Sequence, residues 1–259
     1  MKLIKNNIGI LLCILFVAVF DVISNMLYPH FDGAYWYSIS SIQRFLFFVI
    51  ELYIFIKIFK RNVKDILNFK NFKYGLISGV AMFAFVIFNI ITYNFIGAKS
   101  WVNTTIPILV SCLLFQQLTT GLWEEITFRL FICEGYYLGK NKTFRRRLIY
   151  AIISFIIFGL CHSIECSDLS LAIYRFITTG IWGFAFASIY LYTNNIVAAM
   201  FMHFFTDIFL NMNSFVKAWS DASLFIILDN YVQFVFLAFI LIVAIYYLKK
   251  EPLSKENIR

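Results

Sequence analysis

The chain has 259 residues, of which 61% are hydrophobic and 20% aromatic but only 14% charged, with a formal net charge of +8. Soluble domains carry nearer a quarter of charged residues. This composition, with a mean hydropathy of +0.80, excludes a soluble globular enzyme and points to an all-α, polytopic transmembrane helical bundle. The basic residues fall between apolar runs, so topology explains the net charge and no nucleic-acid partner is expected.

Eight spans are predicted, at 7–28, 38–59, 74–97, 106–138, 148–164, 171–193, 196–213 and 223–248. No polar stretch leaves room for a separate soluble domain, so residues 1–259 are expected to form one membrane domain. The first run follows Lys2 and Lys5 but is too long for a signal-peptide core and shows no small-residue cleavage site, so it reads as a retained span. Residues 61–73 interleave Val63, Ile66, Leu67, Phe69 and Phe72 with lysines, a pattern shared by an interfacial amphipathic segment and a solvated basic loop. The segments before the first span, after the second, after the fourth and after the last hold seventeen of the 22 basic residues. The positive-inside rule then predicts a multi-pass protein of the cell membrane with both termini in the cytoplasm. The five cysteines are scattered and show no C-x-x-C, which supports neither a disulfide framework nor a zinc knuckle.

Within the fourth predicted span lies Trp123-Glu124-Glu125-Ile126-Thr127-Phe128-Arg129. Each such charge near a membrane helix centre costs roughly 2.5–3.5 kcal/mol, and ionisable groups at that depth mark function. Glu125 and Arg129 are four apart and share a helix face, where they can pair, while Glu124 points about 100° away. One carboxylate is thus expected to be held and the other free. The fifth span contains Phe158-Gly159-Leu160-Cys161-His162, and the seventh contains His203 and Asp207, four apart on one face. Counted at 1.5 Å per residue, Glu124 and His162 both lie about 21 Å from the cytoplasmic ends of their spans. His203 and Asp207 lie at about 10 and 17 Å by the same count. Cys161 beside His162 is not read as a nucleophile, because helix neighbours point apart.

Two chemistries suit this set. In the first, Glu124 and His162 hold and deprotonate a water, and His203 with Asp207 hydrogen-bonds a developing oxyanion. In the second, Glu124, His162 and His203 ligate zinc with an open position. The sequence has no H-E-x-x-H helix, which weighs against a familiar zinc protease.

Glu-Glu-x-x-x-Arg at 124–129, Phe-x-x-x-His at 158–162 and His-x-x-x-Asp at 203–207, in that order, resemble the CPBP (CAAX-prenyl-protease and bacteriocin-processing, or Abi) family of intramembrane proteases. The likeness covers about residues 100–215. It implies an eight-helix fold with a polar cavity opening into the bilayer, water activation by Glu124 and His162, and an oxyanion site at His203 and Asp207. Glu125 and Arg129 belong to the same implied catalytic set. The family's last motif position is often Asn, and here it is Asp207, which donates a hydrogen bond only when protonated. Although the family is named for metalloproteases, the resemblance favours a metal-free glutamate mechanism with no cofactor, zinc being the alternative. The expected substrate is a membrane-associated or leader-type peptide, or a membrane protein. Two competing functions are a non-enzymatic immunity or binding protein for a bacteriocin-like peptide, and a proton-coupled transporter. The second lacks the broken-helix repeats of many carriers.

Overall fold

The computed structural model describes residues 2–139 and 142–253, with side chains from Asn7 onward. Of the basic residues counted above, Lys140, Lys255 and Arg259 fall outside the described residues, as do the side chains of Lys2 and Lys5.

Helix α1 covers Lys2–Leu27 and α2 covers Gly33–Phe59. A short α3 (Val63–Ile66) and α4 (Phe72–Ser78) lead through Gly79 into α5 (Val80–Gly97). The motif helix α6 runs over Ile106–Leu138, followed by α7 (Phe144–Ser163), α8 (Leu169–Thr193), α9 (Ile196–Asn211) and α10 (Ser223–Lys249). The only regular strands among the described residues are β1 (Ala98–Trp101) and β2 (Val216–Trp219), an antiparallel ribbon. The architecture is the all-α polytopic bundle expected from composition. Six helices, rather than eight, are long and apolar enough to cross a membrane. The other two expected spans, within α2 and α7, are helical over 27 and 20 residues. Arg44, Glu51 and Lys57 lie within the expected span of α2, and Arg145, Arg146 and Arg147 precede that of α7 in the helix's first turn. The 61–73 segment is mostly irregular, its helical parts being α3, with Ile66 buried, and the start of α4 at Phe72.

Leu15, Val22, Phe45, Phe95, Val235 and Ile242 stay exposed on the outer surface. Side chains of this kind are stable facing acyl chains, which replace the protein partners they lack. The polar residues point the other way, towards the helix contacts.

Basic segments gather at one end of the bundle. Arg61 Nη1 donates to Glu134 Oε1 at 2.8 Å, Arg147 Nη1 to the Lys250 carbonyl at 2.5 Å, and Lys142 Nζ to the Tyr136 and Tyr137 carbonyls at 2.7 and 2.6 Å. Glu134 is fully buried under Arg61. Burial pushes the Arg61 guanidinium down, but the oxygens of Tyr190 and Glu134 outweigh it and the net shift is up. The β1–β2 ribbon lies at the opposite end, where Lys99 Nζ sits 2.8 Å from the exposed Asp221. The hydrogen bond from Lys99 holds the Asp221 carboxyl below its ordinary range.

Close approaches set the helix spacing around the core. A Cβ on Gly121 of α6 would sit 3.0 Å from the Met200 carbonyl oxygen and 3.1 Å from the Phe204 nitrogen of α9. A Cβ on Gly159 of α7 would sit 2.5 Å from the Phe176 carbonyl oxygen of α8. Glycine at these two positions lets backbones meet without a driving force from water.

Candidate active site

Three helices deliver the polar residues, and each is held by local chemistry. In α6 the α-helical stretch Gln117–Glu125 lies between π-helical turns at Val110–Gln116 and Ile126–Leu130. Such widened turns recur at functional sites, and here one follows directly after Glu125. Glu51 of α2 clamps this stretch from outside the motif: it accepts from Trp123 Nε1 at 2.8 Å and from Thr127 Oγ1 at 2.6 Å. In α7, close packing on α8 fixes Phe158 and, one turn on, His162. In α9, the helix is started by Asn195, whose side chain accepts from the Ala198 N–H at 2.9 Å. The preceding Asn194 takes φ 51°, a left-handed conformation that asparagine tolerates. Phe186 lies eight residues before Asn194 and His203 eight after Asn195, so the tight turn brings them face to face. Their rings stack with centroids 4.6 Å apart.

His203 is the hub. Its Nδ1 lies 2.8 Å from Glu125 Oε1, and its Nε2 lies 3.3 Å from Asp207 Oδ2 and 3.6 Å from Glu124 Oε2. Both ring nitrogens therefore face acceptors, and the ring form that satisfies both carries two N–H groups. Glu125 also lies 3.4 Å from Arg129 Nη1, both side chains being fully buried. The Arg129 guanidinium is otherwise held by aromatic faces, 4.2 Å from the Phe158 ring centroid and 5.0 Å from that of Phe186. So Glu125 is the held carboxylate, shared between Arg129 and His203. Sequence reasoning assigned ring orientation to Asp207 alone. The link from Glu125 to Nδ1 was not legible, because it joins residues 78 apart.

Glu124 is 7% exposed, and its Oε2 makes no hydrogen bond among the described residues. It faces a cavity of about 390 Å³ that also receives His162, His203 and Asp207, with Phe158 and Phe186 on its wall. His162 Nδ1 is 2.9 Å from the Phe158 carbonyl oxygen. A carbonyl only accepts, so Nδ1 carries the proton and Nε2 of the neutral ring keeps a lone pair. Within 4 Å the ionisable partner of Glu124 is His203, not His162. Glu124 and His162 share the cavity without touching.

The sequence also left Arg44, Glu51, Asp21 and Arg175 without settled partners. Glu51 joins the clamp just described and pairs with no arginine. Arg44, expected to reach for a membrane surface, instead lines the cavity. Asp21 and Arg175 are exposed.

The zinc alternative is poorly matched by these donors. No group of three or more His, Cys, Asp and Glu among the described residues is arranged to hold a metal ion. His203 Nδ1 is directed at Glu125, and Nε2 faces the Asp207 and Glu124 carboxylates.

Residues 105–209 match the family model described as type II CAAX prenyl endopeptidase, Rce1-like. This segment of the chain is similar to that family and contains the three motifs that carry the resemblance. No curated protein and no solved structure gives a significant match. All six motif residues, from Glu124 to Asp207, lie inside the Rce1-like segment, whereas Arg44 and Glu51 lie outside it. The six apolar helices of crossing length agree with a similarity to membrane-embedded proteases.

Proposed function

We propose that the chain is an intramembrane endopeptidase that cuts a membrane-associated or leader-type peptide with water activated by Glu124 and His162, without a metal. The observation that carries this reading is the Glu124 Oε2 atom, without a hydrogen bond and 3.6 Å from His203 Nε2, on a cavity wall that it shares with His162, whose Nε2 keeps its lone pair. A water held between these two groups loses a proton to Glu124 as its oxygen attacks the scissile carbonyl carbon. The carbonyl oxygen takes up the negative charge and is met by the N–H on His203 Nε2, displacing an acidic neighbour from that donor. Glu125 keeps the ring oriented through Nδ1. Glu124 then returns the proton to the leaving amine as the C–N bond breaks. The cavity wall of Phe158 and Phe186 keeps bulk water from competing.

The test compares membrane proteomes of cells carrying the wild type or Glu124→Gln. Uncut substrates are expected to accumulate in the variant, with their shortened products missing. Identical proteomes, with a biological effect that survives Glu124→Gln, would instead favour the immunity-type binding protein.

The same reading places the basic end of the bundle and both termini in the cytoplasm, by the positive-inside rule. Reporter fusions check it: a fluorescent protein at the C-terminus should glow and alkaline phosphatase there should stay inactive. The opposite pattern reverses the orientation.

A further inference from the structure

The cavity holds one cation that the hydrolytic chemistry does not use. Arg44 projects from α2 into it, half-buried, outside the family core. Its Nε and Nη1 atoms are buried and have no hydrogen-bond partner among the described residues. Its one described contact is the Phe20 ring, 5.5 Å from the guanidinium carbon. Neither Glu124 nor Asp207, which line the same cavity, forms an ion pair with it within 4 Å. An unpaired guanidinium in a greasy interior is costly unless something charged and forked meets it.

The neighbouring groups say where that partner lies. Gln116 and Gln117 of α6 and Asn211 of α9 also line the cavity. Gln116 Nε2 donates to Ser40 Oγ of α2 at 3.2 Å, and Trp123 Nε1 donates to Glu51 at 2.8 Å. The two helices therefore run side by side in the same direction here, and Arg44, one turn beyond Ser40, is level with about residues 117–120. That is one to two turns from Glu124, or about 5–11 Å along the axis. Asp207 lies between the level of Asn211 and that of Glu124 and His203, and Glu124 lies nearer one end of the cavity and repels a second negative group. The arginine and the amides occupy the other end and suit one.

We propose that Arg44 is a specificity-determining residue that receives a carboxylate of the peptide, two or three extended residues beyond the scissile bond. The spacing follows from about 3.3–3.6 Å per extended residue, and the fork of the guanidinium matches a carboxylate in two hydrogen bonds. The carboxylate comes from the peptide's C-terminus or from an acidic side chain at that position. The inference rests on the hydrolase reading for the direction of the peptide, and its test separates the two.

The probes are lipid-anchored, internally quenched peptides, apolar apart from their ends. One form ends in a free carboxylate, one in a carboxamide, and one in a carboxamide with a single glutamate near that end. Binding is followed by fluorescence anisotropy on full-length protein carrying Glu124→Gln, and cleavage on the wild type. The carboxylate form should bind about ten- to a hundredfold more tightly than the plain carboxamide. Arg44→Gln should bring that ratio to within about twofold, with Arg44→Lys in between, because a lysine keeps the charge and loses the fork. If the glutamate peptide alone keeps the preference, the carboxylate source is a side chain and Arg44 retains its role. A ratio to the plain carboxamide near one for both the free-carboxylate and the glutamate form with Arg44 present, including no binding of any form, overturns the inference. So does a ratio that Arg44→Gln leaves unchanged while thermal unfolding shows the variant folded. A protein that discriminates the forms and cuts none keeps Arg44 and loses the hydrolase. One that cuts acid and amide forms equally keeps the hydrolase and loses Arg44.

Discussion

Two adjacent glutamates of one helix have unlike surroundings, and that difference predicts unlike variants. Glu125 is fully buried between Arg129 and His203, so removing it strands a guanidinium in the core. Glu125→Leu should therefore cost about 3–5 kcal/mol of stability, the range for breaking a buried charge pair, and lose activity as well. Glu124 Oε2 has no hydrogen bond to lose. Glu124→Gln should leave the thermal midpoint within a degree or two and lower kcat by about 10²–10⁴, the usual reach of a general base. Thermal unfolding in detergent beside single-turnover cleavage separates the two. Equal destabilisation by both would show that Glu124 is structural. At this scale the identities of the ionisable groups were legible, because intramembrane charge is expensive and therefore conspicuous. Their partners were not. Helical spacing paired Glu125 with Arg129 along one helix, but it carries no information on contacts across helices such as Glu125 with His203 or Glu51 with Trp123. Arg44 shows the same limit: its place in the sequence does not say that it faces the cavity.

Among the helices, the contact between α7 and α8 decides where His162 stands. Gly159 lies three residues before it and has a backbone oxygen 2.5 Å from where a Cβ would be. The obstacle is a carbonyl and not a flexible side chain, so Gly159→Ala must push α7 outward. Overpacking of this kind costs typically about 1–3 kcal/mol. Activity should fall by more than the stability loss explains, since the displaced helix carries His162 away from the cavity, and a shift of about 1 Å can cost about a hundredfold in rate. A variant with wild-type cleavage and a lowered melting temperature would show that the catalytic geometry does not depend on this contact. The apolar runs made most helices visible in sequence, yet the count of six apolar crossings differs from eight. In α2 and α7, arginines and a glutamate stand inside helices of crossing length, and only their tertiary partners show that these segments remain in the bundle. The break at Gly79 was equally hidden, because it does not interrupt the apolar pattern, whereas α3 lies in the 61–73 segment whose alternation of apolar residues and lysines was visible.

For the molecule as a whole, the two ends differ in charge and in how they respond to pH. The ribbon end is tied by Lys99 and Asp221, which are exposed. The Asp221 carboxyl is held below its ordinary value by the Lys99 hydrogen bond. A group lowered in the folded state contributes stability above its unfolded pKa, and that contribution disappears as pH falls through the folded one. Wild type should thus be slightly more stable than Asp221→Asn at neutral pH and at low salt. The gap should close on acidification below the ordinary aspartate range, and also on adding salt. Melting curves of both proteins across that pH range give the answer, and a gap that widens in acid contradicts the assignment. The overall class of the molecule was the most legible feature, since composition alone forces an all-helical membrane architecture. The cavity was inferred from shared depth, a coordinate that residue counting supplies along the membrane normal but not across it.

The turn at Asn194 and Asn195 acts as a ruler. Because Phe186 and His203 sit at equal counts on either side of it, their stacking is a matter of arithmetic as much as of affinity. One residue more or fewer in that turn would slide the imidazole about 1.5 Å and swing it about 100° from its aromatic partner, with every polar side chain still present. The length of this short connection is therefore under tight constraint, although neither asparagine in it belongs to the polar cluster whose geometry it sets.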